Sequence, residues 1–308
     1  MQQLQINKNR ELTLLLKLAT FSILFGRAWE HFMYDPPYHT FFWDYNYTGW
    51  FIEGVLNINW NTFLTTPDYD NNLHLIQLAI GFVFLCTSIS VWFYSGKEKG
   101  INILLLTSTI LMFFLGLITM KDHEQQFGQL LEMSIQITTP AILYSFLKNE
   151  LSLDRLIQAT KIIVSLTFIG HGLYAIGFYY QPPDFVKMIR STTSMSYENA
   201  LISLKLIGAL DILAGILLFV PNKRILKICL IHIILWGFIT ALGRLAGNIN
   251  YNHFWFTFKQ LWHLSMFRLS HGIIPLFLYY CLKRELFKTP KPFTNITNYL
   301  IPFKFYKR

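Results

Sequence analysis

Charged residues are scarce in this 308-residue chain: they make up 14% of it, while 53% of the residues are hydrophobic and 17% are aromatic. A soluble domain carries about 25% charged residues, because its surface has to be hydrated. So small a share of charge argues against a soluble protein. It predicts an integral membrane protein.

Cysteine is scarce as well. The three cysteines, Cys86, Cys229 and Cys281, all lie within apolar runs, which argues for reduced structural thiols and against a disulfide framework. The sequence also lacks a phosphate-binding loop, a dinucleotide fingerprint, a nucleophile elbow, an HxxxH pair and a CxxCH motif. Soluble cofactor chemistry is therefore not indicated, and no metal site is predicted.

Long apolar runs are abundant. A bilayer core of about 30 Å is crossed by roughly 20 mostly apolar residues in a helix. Eight runs approach this length, at approximately 12–33, 73–94, 101–120, 128–147, 156–180, 200–220, 225–247 and 254–282. The sequence therefore predicts an all-α, polytopic membrane protein with eight transmembrane helices.

Lysine and arginine are distributed unevenly between the loops. Most of the 26 basic residues lie before the first run, in the loops after the second, fourth and sixth runs, and after the last run. Cytoplasmic loops retain positive charge, so both termini are predicted to be cytoplasmic. The net charge of +9 follows from these loops and from attraction to anionic headgroups. Membrane lipids are the expected partners, and nucleic acid is not.

The two halves of the sequence repeat each other. Gly26-Arg27-Ala28-Trp29-Glu30, followed by Pro36-Pro37, is echoed by Gly170-His171-Gly172-Leu173-Tyr174, followed by Pro182-Pro183. A ladder of residues at i, i+4 spacing also recurs, in the order Glu132, Gln136, Pro140, Tyr144, Lys148 and Phe267, His271, Pro275, Tyr279, Lys283. Such spacing keeps side chains on one helix face. We predict two four-helix repeats in the same orientation, at 1–150 and 151–284, and a basic cytoplasmic tail at 285–308.

The first external loop, at 34–72, is rich in tyrosine, tryptophan and phenylalanine. Aromatic rings are favoured at the membrane interface. Short segments of this loop are expected to lie there and to cap the outer mouth of the bundle. Interfacial anchoring without a ligand role is the alternative.

Polar and ionisable side chains occur within the predicted helices, mostly near their non-cytoplasmic ends. Such groups are costly in lipid, so they usually face a bundle interior, a partner or a cavity. The candidate ligand-binding residues are Arg27, Glu30, His31, Glu132, Gln136, His171, Tyr174, Lys205, Asp211, Arg244, Arg268 and His271. Together they predict a polar, partly hydrated pocket that opens to the non-cytoplasmic side.

Three roles are open for this pocket. Arginine and lysine side chains are suited to holding an anionic headgroup or a carboxylate. Histidines and carboxylates are suited to relaying protons, for example to a quinone. Histidine pairs are able to ligate a metal or haem iron, although a hydrogen bond between helices is the more common role. Internal pairing, such as Arg27 or Lys205 with Glu132 or Asp211, is the structural alternative.

The second half resembles the DoxX/DoxD-like family of four-helix bacterial membrane proteins. The resemblance rests on Ile169-Gly170-His171-Gly172-Leu173-Tyr174, on Pro182-x-Asp184-Phe185 and on Gly208-Ala209-Leu210-Asp211-Ile212-Leu213-Ala214-Gly215. Asp211 takes the place of an acidic residue that the family has among glycines. A chain of double length departs from the family's single unit. The first half, with Arg27, Pro36-Pro37 and Phe42-Trp43-Asp44, is equally similar to the membrane domain related to vitamin K-dependent carboxylase.

The DoxX-like resemblance implies a subunit of a redox or quinone-linked system in the bacterial cytoplasmic membrane. The cofactor stays open, with a quinone as one candidate. Whether the chain is itself an enzyme stays open. The alternatives are a lipid or small-anion binding or transport protein, and a non-catalytic scaffold that joins other subunits of a membrane complex.

Overall fold

The fold is known from a computed structural model, which describes residues 2–286 and the side chains of residues 10–286. This part of the chain contains helices and no β-strand, so the predicted all-α class is confirmed. The predicted basic tail at 285–308 lies outside the described residues from position 287 onward.

Fourteen α-helices follow one another along the chain. The first half contains α1 (Gln2–Met33), α2 (Tyr38–Phe42), α3 (Tyr45–Gly54), α4 (Trp60–Thr65), α5 (Pro67–Ser90), α6 (Lys99–Asp122), α7 (Gly128–Glu132) and α8 (Ser134–Lys148). The second half contains α9 (Leu153–Ile176), α10 (Pro183–Thr193), α11 (Tyr197–Leu217), α12 (Lys223–Ala246), α13 (Phe254–Arg268) and α14 (Ser270–Lys283).

Six of these helices are long and apolar enough to cross a bilayer: α1, α5, α6, α9, α11 and α12. Their number makes the chain a multi-pass membrane protein. The runs at 128–147 and 254–282, each predicted as one continuous helix, are instead broken helices. The first divides into α7 and α8 at Met133, and the second into α13 and α14 at Leu269.

The break at Met133 has an identifiable cause. The amide of Ile135 donates a hydrogen bond to the hydroxyl of Thr167 on α9, at 3.1 Å. A side chain that inserts into the backbone ladder in this way interrupts a helix. Further along, Pro140 in α8 and Pro275 in α14 lack the N–H that would bond to the carbonyl four residues earlier. Both broken helices are therefore irregular near their polar side chains.

Several helix-to-helix contacts of the first half have counterparts in the second half. In each half the first helix packs on the second long helix, α1 on α5 and α9 on α11. The third long helix of each half packs on the broken helix that follows it, α6 on α7 and α8, and α12 on α13 and α14. Across the halves, α1 packs against α13 and α14, while α9 packs against α7 and α8. The halves thus exchange contacts through their broken helices. Consistent with this central position, 56% of the spanning windows of α1 and α9 is buried, against 33% in the other four long helices.

The apolar core and the polar groups occupy different ends of the bundle. The largest core cluster joins the N-terminal part of α1 and α9 to the C-terminal part of α8 and α14, with Leu12, Leu16, Ile157, Phe277 and Leu278 fully buried. The opposite end holds the buried Arg27, Glu132 and His271. This end is the one predicted to be non-cytoplasmic.

Short helices cover the polar end. The aromatic loop at 34–72 forms α2, α3 and α4, where the side chains of Asp44 and Asn59 accept amide hydrogens of the first turns of α3 and α4. Lys121 at the end of α6 lies 2.9 Å from Asp44 and ties α3 to the bundle. In the second half, α10 packs against α11 and α12.

Candidate functional site

The site lies where the first helix of each half crosses the broken helix of the other half. A Cβ atom at Gly26 would lie 3.0 Å from backbone atoms of α13, and one at Gly170 would lie 2.8 Å from a backbone nitrogen of α7. Glycine lets backbones approach this closely. The next residue of each helix, Arg27 or His171, is therefore held against the opposite half.

Arg27 is buried and fully engaged at its terminal nitrogens. Nη1 donates to Glu30 Oε2 at 2.7 Å, and Nη2 donates to Gln136 Oε1 at 2.7 Å. The guanidinium lies 4.0 Å from the centre of the Phe267 ring, which comes from the other half. Arg27 thus links the halves by an ion pair, a hydrogen bond and a cation–π contact.

His171 makes the corresponding contacts on α9. Its Nδ1 lies against Oε1 of Glu132, which belongs to the other half, and Nη1 of Arg268 lies 4.0 Å from the same oxygen. The ring meets that of His271 edge-on, with 5.2 Å between the centroids. The buried Glu132 carboxylate is therefore shared between an imidazole and a guanidinium.

The two sets of contacts match position by position. The sequence match pairs Arg27 with His171 and aligns the two i, i+4 ladders. Arg27 contacts Gln136, the second residue of the first-half ladder, and Phe267, the first residue of the second-half ladder. In the same way, His171 contacts His271, the second residue of the second-half ladder, and Glu132, the first residue of the first-half ladder. In the first half this arrangement is closed by hydrogen bonds. In the second half it contains two imidazoles and a carboxylate, which are able to exchange protons.

His271 is the least satisfied of these groups. It is 1% exposed, and neither ring nitrogen has a hydrogen-bond partner among residues 10–286. Buried polar atoms are usually hydrogen-bonded, so an imidazole without a partner needs an explanation. The edge-on contact with the ring of His171 does not supply a hydrogen bond.

Beside these contacts lies a cavity of about 240 Å³. Its charged lining consists of three arginines, Arg27, Arg244 and Arg268, and two carboxylates, Glu132 and Asp184. Its uncharged polar lining is contributed by Thr119, His123, Gln129 and Gln136. A neighbouring cavity of about 330 Å³ between α10, α12 and α13 shares Asp184, Phe185 and Arg244 with the first. We refer to the two cavities together as the arginine chamber.

Of the three arginines that line the chamber, Arg244 is the one without a carboxylate oxygen within 4.0 Å among the described residues. None of the ion pairs formed within residues 10–286 includes it, and its Nε has no hydrogen-bond partner there. Its guanidinium lies 5.7 Å from the centre of the Phe185 ring. A partly buried guanidinium with this little compensation favours an anion beside it.

A small, mostly apolar cleft of about 40 Å³ adjoins the chamber and shares Phe185, Arg244 and Arg268 with it. His171 and Asp211 line this cleft. Asp211 is 2% exposed, accepts a hydrogen bond from Trp236 Nε1 at 3.1 Å, and lies 3.5 Å from His232 Nε2. Asp211 lies roughly 21 Å along α11 from its first residue, Tyr197.

Five of the predicted site residues do not line these cavities, and one of them is His271, whose ring lies against that of His171. Lys205 is exposed on the surface of α11, because one residue of helical rotation turns it away from the buried Leu204. His31 is buried, with Nδ1 2.7 Å from the Arg27 carbonyl and Nε2 2.8 Å from the Tyr38 hydroxyl. It therefore serves the packing of the first half.

The other two residues outside the cavity walls are Glu30 and Tyr174. Glu30 pairs with Arg27 and acts on the chamber only through it. Tyr174 is buried, and its ring lies 5.1 Å from that of Tyr179.

Several residues of the site were not predicted. Asp184 and Phe185 were placed in an external loop, whereas they lie on α10 and form a wall of the chamber. The i, i+3, i+4 spacing of Phe185, Met188 and Ile189, after the proline pair, is the signal that indicates an amphipathic helix. His232 and Trp236 were missed as partners of Asp211, although their i, i+4 spacing places them on one face of α12.

Two pKa shifts outside the spanning segments affect the cover of the site. Burial raises the pKa of the Tyr38 phenol, which keeps it protonated beside His31. A hydrogen bond from Lys121 lowers the pKa of the Asp44 carboxyl, so the contact between α3 and α6 stays charged at neutral pH. The cover helices are thus fixed by a neutral hydrogen bond and an ion pair.

No group of three or more His, Cys, Asp or Glu side chains within the described part of the chain is placed to hold a metal ion. Comparison with known proteins adds no assignment: no protein-family model, no curated protein and no solved structure matches the chain.

Proposed function

We propose that this chain is an eight-span membrane protein that binds an anionic group, a phosphate or a carboxylate, in the arginine chamber. In this proposal both termini are cytoplasmic and the chamber opens to the non-cytoplasmic side. The observation that carries the proposal is the meeting of Arg244 and Arg268 in one cavity wall, where Arg244 has no close carboxylate among the described residues.

The proposal counts the two broken helices as spans. Helices α7 and α8 together, and α13 and α14 together, run from the polar end to the lysines Lys148 and Lys283. Broken helices are tolerated at membrane depth where they are buried in protein or line a cavity, and α7 and α13 contribute to the chamber wall. The basic loops between the helices favour the N-in, C-in orientation.

The proposal also treats the halves as two copies of one four-helix unit. Matching contacts of Arg27 and His171, matching close approaches at Gly26 and Gly170, and matching helix order support it. In such a duplication one copy has kept a closed hydrogen-bonded contact, and the other has acquired ionisable groups.

The charge balance explains why the ligand is an anion. The Arg27 charge is neutralised by Glu30, and the Glu132 charge is shared between His171 and Arg268. Asp184 is then the remaining carboxylate of the chamber, and it shares the lining of the larger cavity with two cations, Arg244 and Lys187, so that one positive charge is left over. A guanidinium binds carboxylate or phosphate oxygens with paired hydrogen bonds, and it does so more strongly where water is partly excluded.

Anion binding is tested with the purified protein in detergent or nanodiscs. Inorganic phosphate and acetate are titrated against a chloride reference, and binding is measured as the rise of the unfolding temperature. We expect Arg244→Gln to weaken binding about tenfold to a hundredfold, the effect of losing a charge-assisted hydrogen bond. The matched control is Arg155→Gln, which removes an exposed arginine at the start of α9. Equal binding by wild type and both variants, or no binding by any, contradicts the proposal.

A second candidate function is a redox or quinone-associated subunit in a bacterial cytoplasmic membrane. The observation that favours it is the presence of His171 and Asp211 in the wall of one apolar cleft, with His271 behind His171. A quinone head needs a proton donor or acceptor within apolar surroundings, and these residues supply both. The resemblance to DoxX/DoxD-like proteins supports the same function by analogy.

The second candidate is tested on protein extracted in mild detergent. The redox function is supported if an organic extract of the protein contains quinone in proportion to the protein and if the extract of His171→Phe contains none. Protein that retains no quinone, shows no redox-active absorbance and binds no soluble quinone analogue counts against it.

A further inference from the structure

The apolar cleft next to the arginine chamber has a wall on each side from a lipid-facing helix. Leu204 and Ile207 of α11 form one side, and Trp236 and Thr240 of α12 form the other. Leu206, the residue just before Ile207 on α11, is 63% exposed on the outer surface of the bundle. The cleft therefore lies just beneath the surface that contacts lipid.

The corresponding place in the first half is filled. A Cβ atom at Gly81 would lie 2.7 Å from His31, and Phe84, one helical turn later, is fully buried with its ring edge-on to His31 at 5.3 Å. Two large rings thus close the space between α1, α5 and α6.

Smaller side chains stand at the matching positions of the second half. A Cβ atom at Gly208 would lie 2.7 Å from Ala175, which corresponds to His31 in the sequence match. Asp211, one turn after Gly208, corresponds to Phe84. Replacing an imidazole by a methyl group and a phenyl ring by a carboxylate leaves the space that forms the cleft, and both Ala175 and Asp211 line it.

The cleft is continuous with the cationic wall of the chamber. Phe185, Arg244 and Arg268 line the cleft and the 240 Å³ cavity alike. A molecule with its charge at Arg244 and Arg268 therefore meets an apolar passage on one side and a polar, water-accessible cavity on the other. This combination of surfaces is complementary to an amphiphile.

We propose that the ligand of the chamber is an anionic lipid, whose headgroup contacts Arg244 and Arg268 and whose hydrocarbon chain leaves through the cleft between α11 and α12 into the bilayer. This inference rests on the proposed anion-binding function and specifies its ligand class. The apolar cleft walls keep the chain in hydrocarbon along its path, while the guanidiniums replace the interfacial water of the headgroup.

The test compares two tryptophan substitutions that differ by one position on α11. Ile207→Trp fills the cleft, and the control Leu206→Trp adds the same bulk on the lipid-facing surface. Protein in nanodiscs of phosphatidylcholine with a minor share of phosphatidic acid is extracted, and the retained lipids are counted by native mass spectrometry. We expect wild type and Leu206→Trp to retain phosphatidic acid in preference to phosphatidylcholine, and Ile207→Trp to retain about tenfold less of it, as expected for an overfilled cavity.

Inorganic phosphate separates this inference from the proposed function. The phosphate-dependent rise of the unfolding temperature should persist in Ile207→Trp, because the substitution leaves the arginines in place. If phosphate binds and phosphatidic acid is retained no better than phosphatidylcholine, the lipid inference is overturned and anion binding stands. If neither binds, both proposals fall. If the protein retains an uncharged quinone analogue in place of phosphatidic acid, the lipid inference is also overturned.

A second measurement on the unmodified chain covers the case in which Ile207→Trp does not fold. Phosphatidic acid with a photoreactive acyl chain is incorporated in the nanodiscs, and the labelled residues are identified by mass spectrometry. Labelling at Leu204, Ile207 or Trp236 that excess unlabelled phosphatidic acid suppresses supports the proposed path. Labelling confined to exposed residues such as Leu206 and Leu210 overturns it.

Discussion

At the scale of single residues, the site depends on which side chains contact one buried carboxylate, that of Glu132. Glu132 is 6% exposed, contacts His171, and lies within 4.0 Å of Arg268. It holds the second half's imidazole against the first half and partly neutralises the chamber. Arg244, which has no such partner among the described residues, is left as the cation for a ligand.

Neutralising Glu132 tests this distribution of charge. Glu132→Gln leaves Arg268 without its carboxylate, and removal of one partner of a buried ion pair costs about 3–5 kcal/mol. We expect the free energy of unfolding to fall by this order, and phosphate to bind more tightly because the chamber becomes more positive. Chemical unfolding in detergent measures the first effect, and a phosphate titration measures the second.

The control for this substitution is Glu198→Gln, which alters an exposed carboxylate in the first turn of α11. It should change stability little. Weaker phosphate binding in Glu132→Gln would show that Glu132 does not oppose the ligand charge.

Matching positions in the two halves of the sequence singled out some side chains of the site, and charge within an apolar run singled out others, such as Arg244 and Arg268. Arg27, Gln136, His171 and His271 were found because costly side chains recur at matched positions. Lys205 was misplaced, because a helix of mostly apolar residues on all sides does not indicate which side faces the protein. Asp184 was missed as a wall residue, because an acidic residue after a proline pair is equally typical of an exposed loop.

At the scale of helices, the halves are held together by close crossings. Helix α1 crosses α13 at Gly26, and α9 crosses α7 at Gly170. Glycines at matching positions, Gly26 and Gly170, are visible in the sequence, and small residues commonly permit close helix packing in membrane proteins. Their partners were not visible, because nothing in a single sequence shows that each first helix packs on the broken helix of the other half.

Gly170→Ala tests the crossing directly. The added Cβ would lie 2.8 Å from a backbone nitrogen of α7, so the helices have to separate. We expect a loss of about 1–3 kcal/mol in the free energy of unfolding, the usual cost of overpacking, and weaker anion binding because His171 and Glu132 move apart. Thermal unfolding and phosphate titration in detergent provide the two readouts.

Gly100→Ala is the matched control, since a Cβ at this position in α6 has no atom within 4 Å. Alanine is the better helix former by about 1 kcal/mol, so this variant should be as stable as wild type or more stable. Equal stability of Gly170→Ala and Gly100→Ala would mean that the crossing is not tight.

The breaks at Met133 and Leu269 mark the limit of prediction at this scale. Hydropathy predicted one continuous helix for each run, because the residues around both breaks are as apolar as those of a continuous span. The break at Met133 is caused by a tertiary contact, the hydrogen bond from Ile135 to Thr167. Local propensity does not predict such a contact.

At the scale of the whole molecule, the division between an apolar end and a polar end follows from the order of residues along α1 and α9. In both helices the buried aliphatic residues, such as Leu12 and Ile157, precede the glycine and the arginine or histidine of the site. Because each packs on the broken helix of the other half, the polar ends come together. The membrane class and the clustering of polar groups were therefore predictable, whereas the chamber and its cover by α10 required the three-dimensional arrangement.

The central claim is that Arg244 gives the chamber a positive potential and that the chamber is open to the non-cytoplasmic side. It is tested by adding a cysteine at Leu264, which lines the chamber, and applying membrane-impermeant thiol reagents to right-side-out vesicles. One reagent is an anionic methanethiosulfonate and the other a cationic one. Asn61→Cys, exposed on α4, corrects for the intrinsic reactivity of the two reagents, and the chain without an added cysteine corrects for Cys86.

The measured quantity is the rate of labelling by the anionic reagent divided by the rate of labelling by the cationic reagent. We expect this ratio to be about tenfold higher at Leu264→Cys than at Asn61→Cys, which is the scale of electrostatic focusing in a cleft. Adding Arg244→Gln should remove most of the difference. Equal ratios at the two positions, or labelling of Leu264→Cys only after the vesicles are permeabilised, would contradict the claim.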